Sequence, residues 1–135
     1  IYLPEGMQIP IWASASGKLL LAQLPPEQYA RVVDKLSVYA LTTNTQTDRQ
    51  QLLATIARAK AEQLSVDNEE FIPGMVAFAV PIPNSDGAPF ATLFTHGPTV
   101  RKSLDELLTY APAMRRAADE LAVVFQKQGA EAFSH

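Results

Sequence analysis

The side chains best suited to chemistry fall into three short segments, of which Ser14–Gly17 is the first. Its small residues are typical of the start of a helix. Unpaired backbone N–H groups and a partial positive charge at such a start attract carboxylates and phosphates. The same residue types also cap helices that bind nothing. The segment therefore predicts a helix start, and both anion binding and simple capping remain open for it.

The second segment is the acidic run from Asp67 to Glu70. Clustered carboxylates can ligate a metal ion, act as acid and base, or simply lie in solvent. We interpret Glu69 and Glu70 as solvated loop side chains, because that is the usual outcome for a polar run. Asp67 ends a predicted strand, so contact with solvent and with a ligand hydroxyl both remain open for it.

The third candidate is His96, the only histidine besides the C-terminal His135. A lone histidine cannot form a zinc site, and the chain has no paired-histidine spacing and no glycine-rich phosphate loop. We therefore expect neither a metal nor a cofactor. His96 is interpreted either as a hydrogen-bonded residue at a strand end or as the partner of Asp67. In the second case the two would be acid and base in a small enzyme acting on a carboxylic acid.

Composition limits the classes of protein to which the chain can belong. With 135 residues and 47% hydrophobic content, it fits one globular domain. The net charge of −3 and the scattered basic residues argue against nucleic-acid binding by this segment. Cysteine is absent, and no apolar run is long enough for a membrane span. The first residue is Ile and not Met, so we expect an N-terminally truncated segment.

The first half of the chain predicts one strand and three helices. The strand is expected at residues 9–12, and the first helix is expected to start at Ser14. Pro26 suits the first turn of the second helix. Thr47 and Gln50 have the spacing of a capping box for the third helix.

A long amphipathic helix is predicted to end the chain. Ser103 and Glu106 have the spacing of a second capping box. Pro112 should bend this helix or split it, because proline cannot donate a backbone hydrogen bond. Gly129 is expected to end the helix.

Residues 75–98 predict a β-hairpin around an Asp-Gly turn. Alternation along its first strand predicts two apolar faces, one with Val76, Phe78, Val80 and Ile82 and the other with Met75, Ala77, Ala79 and Pro81. A two-residue loop would place Ala77 opposite His96, and a four-residue loop would place it opposite Phe94. Either register puts these three residues on one surface, whereas a loop with an odd number of residues would separate them. The fold class is therefore α+β, with helices packed on a mainly antiparallel sheet.

Together these segments resemble the C-terminal effector-binding domain of IclR-type transcriptional regulators. The resemblance covers nearly the whole chain and is carried by residues 9–22, residues 65–74, the strand at 75–81 with its Asp-Gly turn, and Gly97-Pro98 before the last helix. It implies a GAF-like sensor domain over residues 1–135, in a cytoplasmic protein that works as a homodimer or tetramer. DNA would be bound only through an N-terminal winged helix-turn-helix domain that this segment lacks.

The resemblance also implies a small-molecule pocket between the sheet and the start of the first helix. Carried over one at a time, its ligand-binding positions are Ala15 and Ser16 at the helix start, Asp67 in the acidic run, and Ala77, Phe94 and His96 on the hairpin. We add Gly17 as a hypothesis, in which the backbone amides of residues 15–17 hold the acid group of the ligand. Family members that sense small keto acids have small hydroxyl residues where this chain has Phe94 and His96. The expected effector is therefore an organic acid that is aromatic or otherwise partly apolar. Two alternatives remain open, namely that Phe94 fills the cavity and that the domain is purely an oligomerisation module.

Overall fold

The computed structural model describes residues 8–84 and 89–133. In chain order its elements are α1 (Ala15–Ala22), α2 (Pro26–Lys35), α3 (Arg49–Glu62), β1 (Ser65–Asn68), β2 (Met75–Pro83), β3 (Pro89–Pro98), α4 (Leu104–Leu108) and α5 (Ala111–Phe133). The three strands form one antiparallel sheet in the order β1-β2-β3. The α+β prediction is confirmed.

Each face of the sheet is covered by a different helical layer. Alternation along β2 directs its large apolar residues, including Phe78 and Val80, toward α5. Ala77 and Ala79 point the other way and contact Ala15 and Leu19 of α1. The small alanines let α1 lie close to the strand. This close approach brings the start of α1 beside the middle of the hairpin.

The register of the hairpin is set by the pairing of Ala77 with His96 and of Ala79 with Phe94. The pairing of Ala77 with His96 is the one expected for a two-residue loop, but the length of the loop is not tested, because residues 85–88 lie outside the described part of the chain. The pairing is irregular between Ile82 and Pro83. The prediction that Ala77, Phe94 and His96 share one surface is confirmed.

Most of the predicted helix boundaries are confirmed. Ser14 caps α1, and its Oγ accepts a hydrogen bond from the Gly17 amide at 3.0 Å. Ser103 and Glu106 form the reciprocal capping box of α4. The helix predicted to bend or split at Pro112 is divided into α4 and α5. Within residues 8–84 and 89–133, no helix is long and apolar enough to cross a membrane.

The strand predicted at residues 9–12 is wrong, because this segment is a turn. The amides of Ala13 and Ser14 both donate to the Pro10 carbonyl. The turn directs Trp12 into the core, where its ring packs edge-on against Tyr39 and its Nε1 donates to the Tyr39 carbonyl. Packing of the indole, which is only 9% exposed, overrides the local preference for a strand.

Two of the predicted helix boundaries are wrong. The cap of α3 is Asp48, whose carboxylate accepts from the Gln50 amide, and not Thr47. Helix α5 continues through Gly129 to Phe133. Glycine inside a helix costs only about 1 kcal/mol relative to alanine, so it does not by itself end one.

Candidate functional site

A cavity of about 50 Å³ lies where the start of α1, the β1–β2 loop and the hairpin meet. This volume exceeds what one water molecule needs, and an apolar surface lines most of it. Its walls are formed by Ile9, Ser14, Ala15, Ser16, Asp67, Phe71, Ile72, Met75, Val76, Ala77, Phe94 and His96. Among these described lining residues there is no lysine and no arginine. An anion in the cavity would therefore have to be held by backbone amides, by serine hydroxyls or by His96.

The structure brings six of the seven predicted site residues together around this cavity. The exception is Gly17, which is buried away from it. A Cβ atom at position 17 would lie 2.6 Å from both the Cα and the carbonyl oxygen of Ile11. The Gly17 amide donates to Ser14 Oγ. Gly17 therefore lets the turn before α1 pack closely, and its amide belongs to the helix cap.

Sequence reasoning did not find the apolar walls of the cavity. Ile9 comes from the segment before α1, Phe71 and Ile72 come from the loop between β1 and β2, and Met75 is the first residue of β2. The Ile-Pro-Gly tripeptide at residues 72–74 indicates a tight turn. No local pattern shows that this turn folds back toward α1.

The backbone at the start of α1 suits an anion. Ala15 and Ser16 are the first two residues of the helix and both line the cavity. The first amides of a helix have no acceptor within the helix, and the helix dipole adds a partial positive charge there. Because Ser14 caps the Gly17 amide, the amides of Ala15 and Ser16 are the ones best placed for a ligand.

Asp67 is the acidic group of the cavity. Its side chain is buried, and Oδ1 accepts hydrogen bonds from the amides of Glu70 at 2.7 Å and Phe71 at 3.3 Å. Burial raises the pKa of Asp67 from 3.8 to about 6, and the negative charge of Glu70 adds to the rise. The two amides and the Lys18 ammonium act in the opposite direction. Below pH 6 the carboxyl is mainly protonated and can donate a hydrogen bond to a ligand.

The prediction that Glu69 and Glu70 lie in solvent is wrong. Glu70 is buried, and its Oε1 lies 2.7 Å from Nζ of Lys18, which is only 1% exposed. Its Oε2 accepts from the Asn68 amide. Glu69 is half-buried, and its Oε1 accepts from the Gly74 amide at 2.9 Å. Both carboxylates thus hold the β1–β2 loop in place, and Glu70 joins that loop to α1.

Lys18 is a structural partner that sequence reasoning missed. It lies on the buried side of α1, so its charge needs a counter-charge inside the protein. The only signal in the sequence is a lysine next to three consecutive leucines. Its partner is 52 residues away along the chain, and only the packing of α1 on β1 and the following loop brings them together.

Phe94 and His96 form the outer wall of the cavity. They point to the same face of β3, and their ring centroids are 6.0 Å apart at an interplanar angle of 26°. Phe94 is 42% exposed. It therefore flanks the cavity and leaves it open, and its ring is accessible to a flat ligand.

Among the described residues, no group of three or more histidine, aspartate or glutamate side chains is arranged to hold a metal ion. Asp67 and Glu70 are two carboxylates close enough to interact electrostatically. Their oxygens are engaged by backbone amides, and Glu70 is also paired with Lys18.

The chain is similar in sequence to known proteins. Residues 1–123 match the family "Bacterial transcriptional regulator IclR C-terminal". SauR of Cupriavidus necator, a protein assigned as a transcriptional regulator, is 36% identical over 108 residues, which are 80% of this chain and 43% of SauR. The chain belongs to the IclR family.

Solved structures of this family have the same fold. A protein of Rhodococcus sp. RHA1 assigned as a transcriptional regulator superimposes with a TM-score of 0.89 at 28% identity, covering 94% of this chain and 52% of that one. A double mutant of the inducer-binding domain of PobR from Acinetobacter, bound to 3-hydroxybenzoic acid, gives 0.82 at 30% identity, with coverage of 90% and 72%. The IclR-type chain described here therefore has the GAF-like fold of these effector domains. It spans 43% of the length of SauR and 37% of that of BhcR from Paracoccus denitrificans.

We predict that the stability of this IclR-type domain depends on pH through Asp67. The folded pKa lies above the unfolded value, so the folded state binds more protons between about pH 4 and pH 6. The contribution of Asp67 to the free energy of unfolding should therefore fall as pH rises through this window and stay low above it. Asp67→Asn removes the titration and keeps Oδ1 as an acceptor. We expect this variant to be more stable than the wild type by about 1–2 kcal/mol at pH 7.5 and not at pH 4.5.

Urea unfolding of both proteins at the two pH values measures this difference. Other carboxylates titrate in both proteins, so the comparison isolates Asp67. An equal difference in stability at both pH values would show that Asp67 does not change its charge in this window.

Proposed function

We propose that this chain is the effector-sensing part of a transcriptional regulator and that the cavity beside α1 binds a small organic acid. The observation that carries the proposal is the convergence of the α1 amides, Asp67 and the Phe94–His96 pair around one mostly apolar cavity. Binding sites for small molecules typically combine such apolar walls with a few well-placed polar groups.

The charges around the cavity indicate how the acid would be oriented. The helix start at Ala15 and Ser16 attracts a carboxylate, whereas Asp67 repels one when it is ionised. The effector would therefore place its carboxylate at α1 and a hydrogen-bond donor, such as a hydroxyl group, at Asp67. A planar body between these two groups could pack against Phe94. A hydroxy acid with an aromatic ring has all three features.

The relatives support the same class of ligand. The PobR inducer-binding domain was solved with 3-hydroxybenzoic acid, which carries a carboxylate, a hydroxyl and an aromatic ring. We use 3-hydroxybenzoic acid as a test ligand for this chain and do not identify it as the natural effector.

The effector would act by shifting populations. A ligand held by α1, the β1–β2 loop and the hairpin stabilises the arrangement in which these elements are close together. We propose that the protein works as a homodimer or tetramer and that this shift changes the affinity for DNA of a domain outside this chain. On this proposal, the chain itself binds no DNA and catalyses no reaction.

Ligand-dependent thermal unfolding tests the proposal. The probes are 3-hydroxybenzoate, benzoate and pyruvate, each titrated against the chain. We expect 3-hydroxybenzoate to raise the melting temperature in a saturable way, benzoate to do so more weakly, and pyruvate to do so least. We expect Phe94→Ala to weaken the binding of 3-hydroxybenzoate about tenfold, because it removes the accessible ring.

Val100→Ala is the matched control for Phe94→Ala. Val100 is also an exposed apolar side chain, 93% accessible, and it does not line the cavity. Its replacement should leave ligand affinity unchanged. Stabilisation by pyruvate alone would contradict the aromatic preference. If none of the three acids shifted the melting temperature, the result would contradict the sensing proposal. It would favour the alternative that the domain is purely an oligomerisation module.

One observation favours a second candidate function. Asp67, which has a raised pKa, lines the same cavity as His96. Such a pair could act as acid and base on a carboxylic acid. Incubation of each probe followed by chromatography distinguishes the two functions. Under the sensing proposal the acid is recovered unchanged, whereas consumption that is lost in His96→Ala would support the enzyme.

A further inference from the structure

The β1–β2 loop is held from outside the cavity by the segment that connects α2 to α3. Three successive backbone carbonyl groups, at residues 68–70, each accept a hydrogen bond from a side chain of this segment. The donors are, in order, Asn44 Nδ2, Thr42 Oγ1 and Thr45 Oγ1. Thr45 is only 9% exposed, and its bond to the Glu70 carbonyl measures 2.6 Å. None of the three side chains lines the cavity beside α1, so they act on the loop and not directly on a ligand.

Two of these carbonyls belong to the peptide groups that bind Asp67. One peptide carries the Glu69 carbonyl and the Glu70 amide, and the next carries the Glu70 carbonyl and the Phe71 amide. Both amides donate to Asp67 Oδ1, at 2.7 Å and 3.3 Å. In a planar trans peptide the C=O and N–H groups point in opposite directions. Each threonine hydroxyl therefore holds one side of a peptide group whose other side holds Asp67.

The backbone of Glu69 shows that tertiary contacts hold this loop in an unusual conformation. Its φ is 57°, in the left-handed region that residues other than glycine rarely adopt. Such a conformation persists only where the surrounding contacts compensate for it. The contacts of Glu69 include the Thr42 hydroxyl on its carbonyl and the Gly74 amide on its carboxylate. Loss of the Thr42 hydroxyl should therefore let this peptide group rotate away from Asp67.

The two peptide groups also determine which oxygen of Asp67 is left for a ligand. Their amides occupy Oδ1, and no hydrogen bond within the described residues uses Oδ2. Asp67 lines the cavity, so Oδ2 is the oxygen that remains to accept a ligand hydroxyl. A hydrogen bond to a peptide carbonyl polarises the peptide and strengthens the bond that its N–H group donates. Thr42 and Thr45 thus strengthen the two bonds that fix the orientation of the carboxylate.

We propose that Thr42 and Thr45 are positioning residues of the effector site, which fix Asp67 Oδ2 as the acceptor for a ligand hydroxyl and so set a preference for hydroxylated acids. This proposal rests on the sensing function proposed above and adds to it two residues that lie outside the cavity. Both act through the peptide groups of residues 69–71 and do not need to touch the ligand.

The relative affinity for 3-hydroxybenzoate and benzoate tests this role, because benzoate lacks only the hydroxyl. Isothermal titration calorimetry at about pH 8, where Asp67 is mainly ionised, gives both dissociation constants. We expect Thr42→Val and Thr45→Val each to reduce the preference for 3-hydroxybenzoate about fivefold, the effect of impairing one hydrogen bond. A merely structural role would weaken the binding of both acids equally. Thr45→Ser keeps the hydroxyl and should restore the wild-type preference.

Thr43→Val is the matched control. Thr43 is exposed, and no hydrogen bond joins it to the described residues of the β1–β2 loop. Its replacement should leave both dissociation constants unchanged. Thr45 Oγ1 also accepts from the amides of Leu41 and Thr42, so Thr45→Val removes more than one bond. Thr42→Val, at a half-buried position, provides the same test if Thr45→Val does not fold.

The pKa of Asp67 provides a second readout, which needs no ligand. The two amide hydrogen bonds lower this pKa, so weaker bonds should raise it above about 6 in both valine variants. An NMR titration of the ¹³C-labelled Asp67 carboxyl group measures the change. The neighbouring ionisable groups, which are Glu70, Lys18 and His96, are the same in the wild type and in all variants.

Two results would overturn the proposal. One is an unchanged ratio of the two dissociation constants in Thr42→Val and Thr45→Val, and the other is a wild-type pKa of Asp67 in both variants. If the wild type bound neither acid, the sensing function would fail, and this proposal would fail with it. The two failures are distinguishable, because an unchanged ratio can be measured only where the wild type binds both acids.

Discussion

Lys18→Met is expected to lower the free energy of unfolding by about 3–5 kcal/mol, the largest effect we predict for a single side chain in this chain. The substitution leaves the Glu70 carboxylate buried without its counter-ion, because Lys18 Nζ lies 2.7 Å from Glu70 Oε1. The side chains are only 1% and 8% exposed, so solvent cannot replace the lost partner. Urea unfolding followed by circular dichroism measures the change.

The double variant Lys18→Met/Glu70→Gln separates the charge effect from a packing effect. It leaves no unpaired charge, and the glutamine oxygen can still accept from the Asn68 amide. Most of the lost stability should therefore return. Arg58→Met is the matched control, because the Arg58–Glu62 pair is exposed and should contribute no more than about 0.5 kcal/mol. If the double variant lost the sum of the two single losses, Lys18 and Glu70 would not stabilise each other.

Gly17→Ala is expected to destabilise the chain by about 2–3 kcal/mol, even though alanine normally favours a helix. The added Cβ would lie 2.6 Å from Ile11 Cα, from the Ile11 carbonyl oxygen and from Ser14 Oγ. Two of these three atoms belong to the backbone, so a change of rotamer cannot relieve the clash. The substitution should also displace the start of α1 and weaken any ligand held by the Ala15 and Ser16 amides.

Gly97→Ala is the control for this prediction. No atom lies within 4 Å of a Cβ at position 97, and its backbone φ is not in the left-handed region. Alanine there should change the stability by less than about 1 kcal/mol. Thermal unfolding of the wild type and of both variants measures these changes in stability. Equal stability of Gly17→Ala and the wild type would mean that the turn before α1 can move away without cost.

The features that the sequence predicted correctly depend on residues close together in the chain. The caps at Ser14 and Ser103, and the division of the last helix at Pro112, follow from backbone chemistry within one or two turns. The face shared by Ala77, Phe94 and His96 follows from strand alternation once a hairpin is assumed. These rules need no knowledge of the rest of the molecule.

The features that only the tertiary structure decided depend on residues far apart in the chain. Residues 9–12 have strand-like composition, but burial of Trp12 against Tyr39 makes them a turn. From its sequence context Glu70 is predicted to be a solvated acid. In the structure it is paired with Lys18 of α1, which is 52 residues away along the chain.

The candidate site shows the same division between local and long-range information. The resemblance to IclR-type domains identified six residues that line the cavity, but it did not show that the Gly17 amide is used by the cap of α1. The sequence by itself therefore determined the helices, the hairpin and the polar residues of the site. The tertiary structure decided which of those residues face the cavity and that Asp67 is buried enough to raise its pKa. The physical reason is that burial and ion pairing depend on the whole packed molecule, whereas caps and strand alternation are properties of short segments.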